Sequence, residues 1–170
     1  MKLKEDKKAK SKSFFFSENY EIFDQKYEKF LINFFLKTKK DVRICMHNNK
    51  QDLHHDMIIL QQKGNFYKPH KHKKKGETYH VIKGSMFCIL FNENGKIVNY
   101  KHVKKNNILR TPINIHHTIV PFSKFVIYHE SKTGPFEKKN DSIFPSWANN
   151  SKIHKNIELL IKKYKIKKNL

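Results

Sequence analysis

The sequence predicts a mainly β domain, an antiparallel sandwich or barrel, with a helical arm before it and a helix after it. Three observations carry this expectation. Between residues 42 and 137 the apolar residues fall in short runs separated by turn formers every 8–12 positions, enough for seven or eight strands. The tetrapeptide Asn92–Gly95, "NENG", is a hairpin turn signal between two such runs. Helical spacing of apolar residues stands at the two ends of the chain.

Taken in order, residues 1–16 read as a basic, flexible tail, polar and lysine-rich through residue 13. "FFFSENYEIF" (Phe14–Phe23) is apolar enough to dock on a neighbouring element. Residues 17–41 form the helical arm. Tyr27, Phe30, Leu31, Phe34 and Phe35 fall at i, i+3, i+4, i+7 and i+8, one stripe facing a core. Asp24 suits the N-cap, and Lys37, Lys39 and Lys40 suit the negative end of the helix dipole. Strands follow in "VRICMH", "HDMIILQQ", "GETYHVIKG", "SMFCILF", "KIVNYKHV", "NNILRTPINIHHTIVPF" and "KFVIYHES", all within a barrel spanning residues 42–137. Residues 138–170 read as a loop and then a basic helix with Ile157, Leu160, Ile161 and Tyr164 on one face. Trp147 is expected to anchor this segment by packing.

The bulk chemistry narrows the class. At 38% hydrophobic and 13% aromatic residues the chain has material for a core and is not a disordered polymer. A net charge of +21 favours anionic partners. Yet the lysines are scattered, and Arg43 and Arg110 are the two arginines. Arginine is the residue that reads bases and phosphates bidentately, so no specific nucleic-acid partner is expected. Cys45 and Cys88 each sit inside an apolar run, which suits two buried thiols and not a disulfide framework. No secretory signal is seen, so a cytoplasmic location is expected. The longest apolar run, Phe30–Leu36, is about a third of the roughly 20 residues a membrane span needs.

The chemistry concentrates in "PHKHKKKGETYHVIKG" (Pro69–Gly84). On a strand, His70 and His72 at i and i+2 share a face, pointing into the barrel if Phe66 and Val81 mark the packed side. Glu77, after the "KKKG" turn, opens the next strand and comes back over both imidazoles if the two strands form a hairpin. Histidine with carboxylate is a ligand set for one divalent Fe, Mn, Ni, Zn or Cu ion. A further imidazole from "TPINIHHTIV" would complete it, with His116 and His117 both standing there.

The full spacing, Gly64-x5-His70-x-His72-x4-Glu77-x6-Gly84, resembles the first cupin motif, G(X)5HXH(X)3-4E(X)6G, at every defined position. The second motif, G(X)5PXG(X)2H(X)3N, is matched at Pro112 and His117. Asn106 and Asn114 stand where it has glycines, and Pro121 where it has asparagine. Asparagine tolerates positive φ, so the turns can survive. The resemblance implies a cupin-type jelly-roll barrel and selects His117 as the fourth ligand beside His70, His72 and Glu77.

Within cupins, "RICMH", "FYKPHKHKKKGETYHVIKGSM", "FNENGKIV", "IHHTIV" and "HESKTGPF" follow in an order that resembles the WbuC family of metalloproteins, over roughly residues 17–136. That family is associated with O-antigen and other surface-polysaccharide gene clusters. His116, where an aromatic is usual, and the lysine-rich terminal helix depart from its pattern. The resemblance implies a bound metal and no particular reaction.

Other residues have weaker claims. Arg43 and His47 share a strand face at i and i+4 and could contact an anion or sugar hydroxyl. Lys75 could hold a phosphate or carboxylate. Tyr67 and Tyr79, with Lys75, are the candidates for catalytic groups. Glu130 could orient a ligand imidazole.

The reading is a metal-dependent cupin acting on a small, anionic or nucleotide-linked sugar in surface-glycan biosynthesis. The metal would act as a Lewis acid in isomerisation or epimerisation. The alternatives are a metal-independent cupin isomerase using His and Tyr, an Fe(II) dioxygenase, and a non-enzymatic metal- or sugar-binding module. A homodimer joined through sheet edges or the phenylalanines of the arm is expected.

Overall fold

A computed structural model describes residues 2–168, except 10, 19, 66 and 138–140. Among the described residues, ten strands form two sheets that face one another, with one helix on each outer face. The strands are β1 (Leu3–Glu5), β2 (Lys12–Phe16), β3 (Val42–Cys45), β4 (His54–Gln62), β5 (Glu77–Lys83), β6 (Ser85–Phe91), β7 (Ile97–Lys104), β8 (Ile108–Arg110), β9 (His116–Pro121) and β10 (Phe125–Thr133). The helices are α1 (Gln25–Thr38) and α2 (Ser151–Lys168). The larger sheet has the order β1-β2-β3-β4-β10-β5-β8, and the smaller β7-β6-β9. This is the mainly β cupin barrel that the motif spacing implies.

Alternation along the strands builds three apolar layers. Met57, Ile59, Tyr79, Val81 and Tyr128 of the larger sheet meet Met86, Cys88, Val103 and Ile119 of the smaller one inside the barrel. On the outer face of the larger sheet Ile44, Ile58, Leu60 and Ile127 pack under Tyr27, Leu31 and Phe35 of α1. On the outer face of the smaller sheet Phe87, Ile89, Phe91 and Val120 pack under Ile153 and Ile157 of α2. Both cysteines are buried and free.

The local signals hold at their predicted places. Asp24 caps α1, accepting from the backbone N–H groups of Lys26 and Tyr27 at 2.8 and 3.4 Å. Gly84 has φ +79 between β5 and β6, where a Cβ would lie 2.4 Å from Ser123 Oγ. Asn106 and Asn114 take φ +66 and +59, the left-handed turns that the cupin motif ordinarily gives to glycine.

Two expectations are corrected. The first sixteen residues are not all tail: Lys12–Phe16 form β2, which runs parallel to β3. The physical reason is the side-chain alternation of the FFF run. Phe14 and Phe16 turn towards α1, with Phe14 edge-on to Phe30 at 5.3 Å and Phe16 to Tyr27 at 4.8 Å. These arm phenylalanines thus pack against one another within the chain. Second, His70 and Lys71 do not belong to a continuous strand. They make isolated bridges to His117 and Ile143. Phe66 and the last two residues of the expected terminal helix lie outside the described residues.

Candidate metal centre

The ends of three segments meet where the two sheets join. Glu77 is the first residue of β5 in the larger sheet, and His117 is the second residue of β9 in the smaller one. The connecting stretch is tied to β9 by paired backbone bonds between His70 and His117, at 3.1 and 2.8 Å. The backbone N–H of Asn114, in its left-handed turn, donates to His72 O at 2.9 Å. The result is that His70, His72, Glu77 and His117 each present a ligand atom within 4.8 Å of the others.

The hydrogen bonds decide which ring nitrogen faces the centre. The Nδ1–H of His70 donates to Lys68 O at 2.9 Å, and that of His117 to Ile115 O at 3.0 Å. His72 Nδ1–H donates to Asp141 O. A carbonyl can only accept, so each Nδ1 carries its hydrogen and each neutral ring keeps a lone pair on Nε2. His72 Nε2 and His117 Nε2 stand 2.9 Å from the two oxygens of Glu77. His72 Nε2 is buried and not aligned in a hydrogen bond. Lone pairs facing carboxylate oxygens at this distance repel unless positive charge lies between them, a proton on each ring or one shared cation. The donor set fits a divalent metal ion.

The electrostatics differ between the rings: at His72 burial is outweighed by Glu77, which raises its pKa, as an imidazole facing a carboxylate requires. Burial and the neighbouring His117 push His70 down to about 4, which keeps it in the neutral, ligating form. Burial pushes Glu77 up, but His117, His72 and Lys132 outweigh it and hold the carboxyl well below its usual range. Tyr79 donates its O–H to Glu77 Oε2 at 2.5 Å. Lys132 Nζ lies 3.5 Å from Glu77 Oε1.

A cavity of about 640 Å³ opens beside this cluster. His70 and Glu77 lie in its wall together with Arg43, Tyr67, Tyr79, Glu130 and Lys132, over a floor that includes Met57 and Ile59. Ser142, Phe144, Ala148 and Asn149 of the C-terminal segment also line it. This segment is held over the barrel by the Lys71–Ile143 bridge and by Trp147, whose Nε1–H donates to Glu93 O at 2.7 Å.

The residues singled out in the sequence are placed unevenly. Tyr67, Tyr79, Arg43 and Glu130 all reach the cavity. Glu130 makes no contact with a ligand imidazole; its nearest charge is Lys132 Nζ at 3.7 Å. Burial and the charge of Glu77 raise it to about 7. His47 falls beyond the end of β3 and away from the cavity lining, its ring stacked on His55 at 4.0 Å. Lys75 lies beside His72 in a separate small pocket, where Nζ donates to Asp141 Oδ1 at 2.8 Å. His116 turns away from the cluster against Trp147, ring centres 5.3 Å apart, as alternation with His117 along β9 requires.

Two residues were missed. Lys132 pairs with Glu77 across β10 and β5. Asp141 accepts from Lys75 and Lys132 and supplies the carbonyl that fixes His72. Lys132 had a readable signal, since it is two residues from Glu130 and shares its strand face. Asp141 had none.

Among known proteins, a family model described as a domain of unknown function (DUF6016) matches residues 37–103. This stretch holds His70, His72 and Glu77 but not His117. No curated protein matches the chain. Of solved structures, the capsular polysaccharide assembling protein CapF from Staphylococcus aureus is similar in one crystal form with TM-score 0.52 and 17% identity, over 61% of this chain and 31% of that one. A second CapF structure gives TM-score 0.50 and 18% identity over 56% and 27%. KdgF from Halomonas sp. gives TM-score 0.47 and 12% identity over 58% and 82%. The chain thus spans less than a third of the CapF chains it matches, and what it shares with them is the cupin fold.

Proposed function

We propose that the chain is a metal-dependent cupin that acts on a small sugar, nucleotide-linked, in the building of a surface polysaccharide. One observation carries the metal: three imidazoles commit Nδ1 to main-chain carbonyls and turn Nε2 toward one buried carboxylate. The sugar rests on the WbuC resemblance. The likeness of fold to CapF, a capsular polysaccharide assembling protein, is consistent with that reading.

His70, His72, Glu77 and His117 would hold the ion. Bound there, a divalent metal supplies Lewis acidity towards a carbonyl or hydroxyl pair. The chain's own groups do the rest. Tyr79 and Lys132 hold the Glu77 carboxylate in place, and the carbonyl of Asp141 orients His72. Ser142 and Phe144 of the C-terminal segment form part of the cavity wall.

The test is metal analysis of protein purified without a histidine tag, followed by a thermal-shift series with nucleotide sugars. About one equivalent of metal per chain and a nucleotide-sugar shift are expected. A chain that carries no metal and gains no stability from Fe, Mn, Ni, Zn or Cu sinks the reading. Iron with an oxygen-dependent signal redirects it to oxidation.

A further inference from the structure

Among the described residues, one cation lining the cavity beside the metal cluster has no carboxylate in direct contact, although Glu130 and Asp6 act on it from further away. Lys132 is met by three carboxylates, at 3.2 Å (Asp141), 3.5 Å (Glu77) and 3.7 Å (Glu130). Lys68 is exposed to solvent. Arg43 is half-buried. Its Nε–H donates to the hydroxyl of Ser13 at 3.0 Å, and Nη1 approaches Met57 Sδ at 3.9 Å. Among the described residues no carboxylate pairs with it within 4.0 Å. A partly desolvated guanidinium with only a hydroxyl and a thioether for partners is costly, and an anion that completes it repays that cost.

The choice of residue points the same way. Lys and Arg total 36, of which two are arginine, so a chain that uses lysine almost everywhere places an arginine on this wall. Lysine supplies the charge equally well. What arginine adds is a planar fork that matches a carboxylate or phosphate with two parallel hydrogen bonds.

Position completes the argument. Arg43 on β3 pairs with Ile59 on β4, on the inward face of the larger sheet. Glu77 lies on β5, three strand steps away in the order β3-β4-β10-β5 and four residues along from Val81, which is level with Arg43, about 14 Å across the sheet and about 13 Å along it between backbones. The long arginine side chain covers part of that span. What is left, over Met57 and Ile59, suits a single sugar ring with one end at the metal cluster and the other at the guanidinium. Glu130 stands on β10, between the strands that carry the two, and lines the same cavity.

The geometry points to Arg43 as the anchor for a carboxylate on the substrate, which makes the ligand class of this cavity an acidic sugar, a uronate. This rests on the metal reading, because the opposite end of the sugar is taken to meet the metal cluster. Carboxylate and phosphate share the recognition chemistry, and the test separates them.

Wild-type protein with its metal, R43M and R43K are titrated calorimetrically with glucuronate, galacturonate, glucose, galactose and glucose 1-phosphate, with metal content measured on each protein. The expected result is that at least one uronate binds wild type and the neutral sugars do not. R43M should lose uronate affinity by about tenfold or more, with metal content and circular dichroism unchanged. If R43M does not fold, R43K decides on the same criterion, because it keeps the charge and loses the fork. Three outcomes overturn the inference: neutral sugars binding as well as uronates, uronate affinity surviving the loss of the fork, or Arg43-dependent binding of the phosphate alone. Metal present without uronate binding overturns this inference alone. Uronate binding through Arg43 without any metal overturns the metal reading and leaves Arg43 as the anchor.

Discussion

Each imidazole of the cluster commits Nδ1 to the main chain and turns Nε2 to the centre, so removing a ring removes a ligand, and for His72 it also frees the Asp141 carbonyl. His117→Ala and His72→Ala are expected to reduce bound metal from about one equivalent to less than about a tenth, measured by mass spectrometry of the desalted protein. Lys132 has a different role. Its side chain is 11% exposed and touches Glu77, Glu130 and Asp141. Lys132→Met keeps the volume but leaves three carboxylates crowded together. Breaking a buried charge cluster in this way costs about 3–5 kcal/mol, which urea unfolding would register. Asn114 is a test of backbone rather than charge. At φ +59 glycine is free and a β-branched residue is strained. Asn114→Gly should therefore be near neutral, while Asn114→Val should cost about 1–3 kcal/mol and loosen His72, whose carbonyl accepts from this turn.

At the scale of elements, the stretch after β3 joins β4 through the stack of His47 on His55, and His47 Nδ1–H donates to Asp56 O at 3.0 Å. Burial and the neighbouring His55 push His47 down to about 4. Between pH 6.5 and about 4 the unfolded chain then takes up a proton that the folded chain refuses. His47 therefore contributes a loss of stability as the pH falls through this window. His47→Phe, which keeps a ring in the stack, should flatten that part of the pH–stability curve; an unchanged slope would refute the assignment. The helix α1 shows what was legible locally. Its cap, its stripe and its polar end were all in the sequence, because each depends on residues within one or two turns. Strand β2 was not legible: its lysine and serine read as tail, and its pairing is with β3, about thirty residues on.

For the whole molecule, the charge of +21 sets the field in which every local interaction works. Its lysines lie on both sheets, both helices and the loops, so folding brings like charges together. Raising the salt from about 0.02 to about 0.5 M should raise the melting temperature, because screening relieves that repulsion. A melting temperature that falls instead would mean that the ion pairs outweigh it. Among the described residues no helix is long and apolar enough to cross a membrane.

The sequence by itself determined the barrel and the spacing of His70, His72 and Glu77, along with the two left-handed asparagine turns, because short-range geometry governs all of these. Only the tertiary structure decided the company the cluster keeps. Lys132 meets Glu77 across 55 residues, and Asp141 meets His72 across 69. His47, two residues from Cys45 at the end of β3, is carried off the cavity wall because the strand stops there. Such contacts follow from ladder register and from where the chain's last segment crosses the barrel, and neither leaves a periodic trace in the residues that make them.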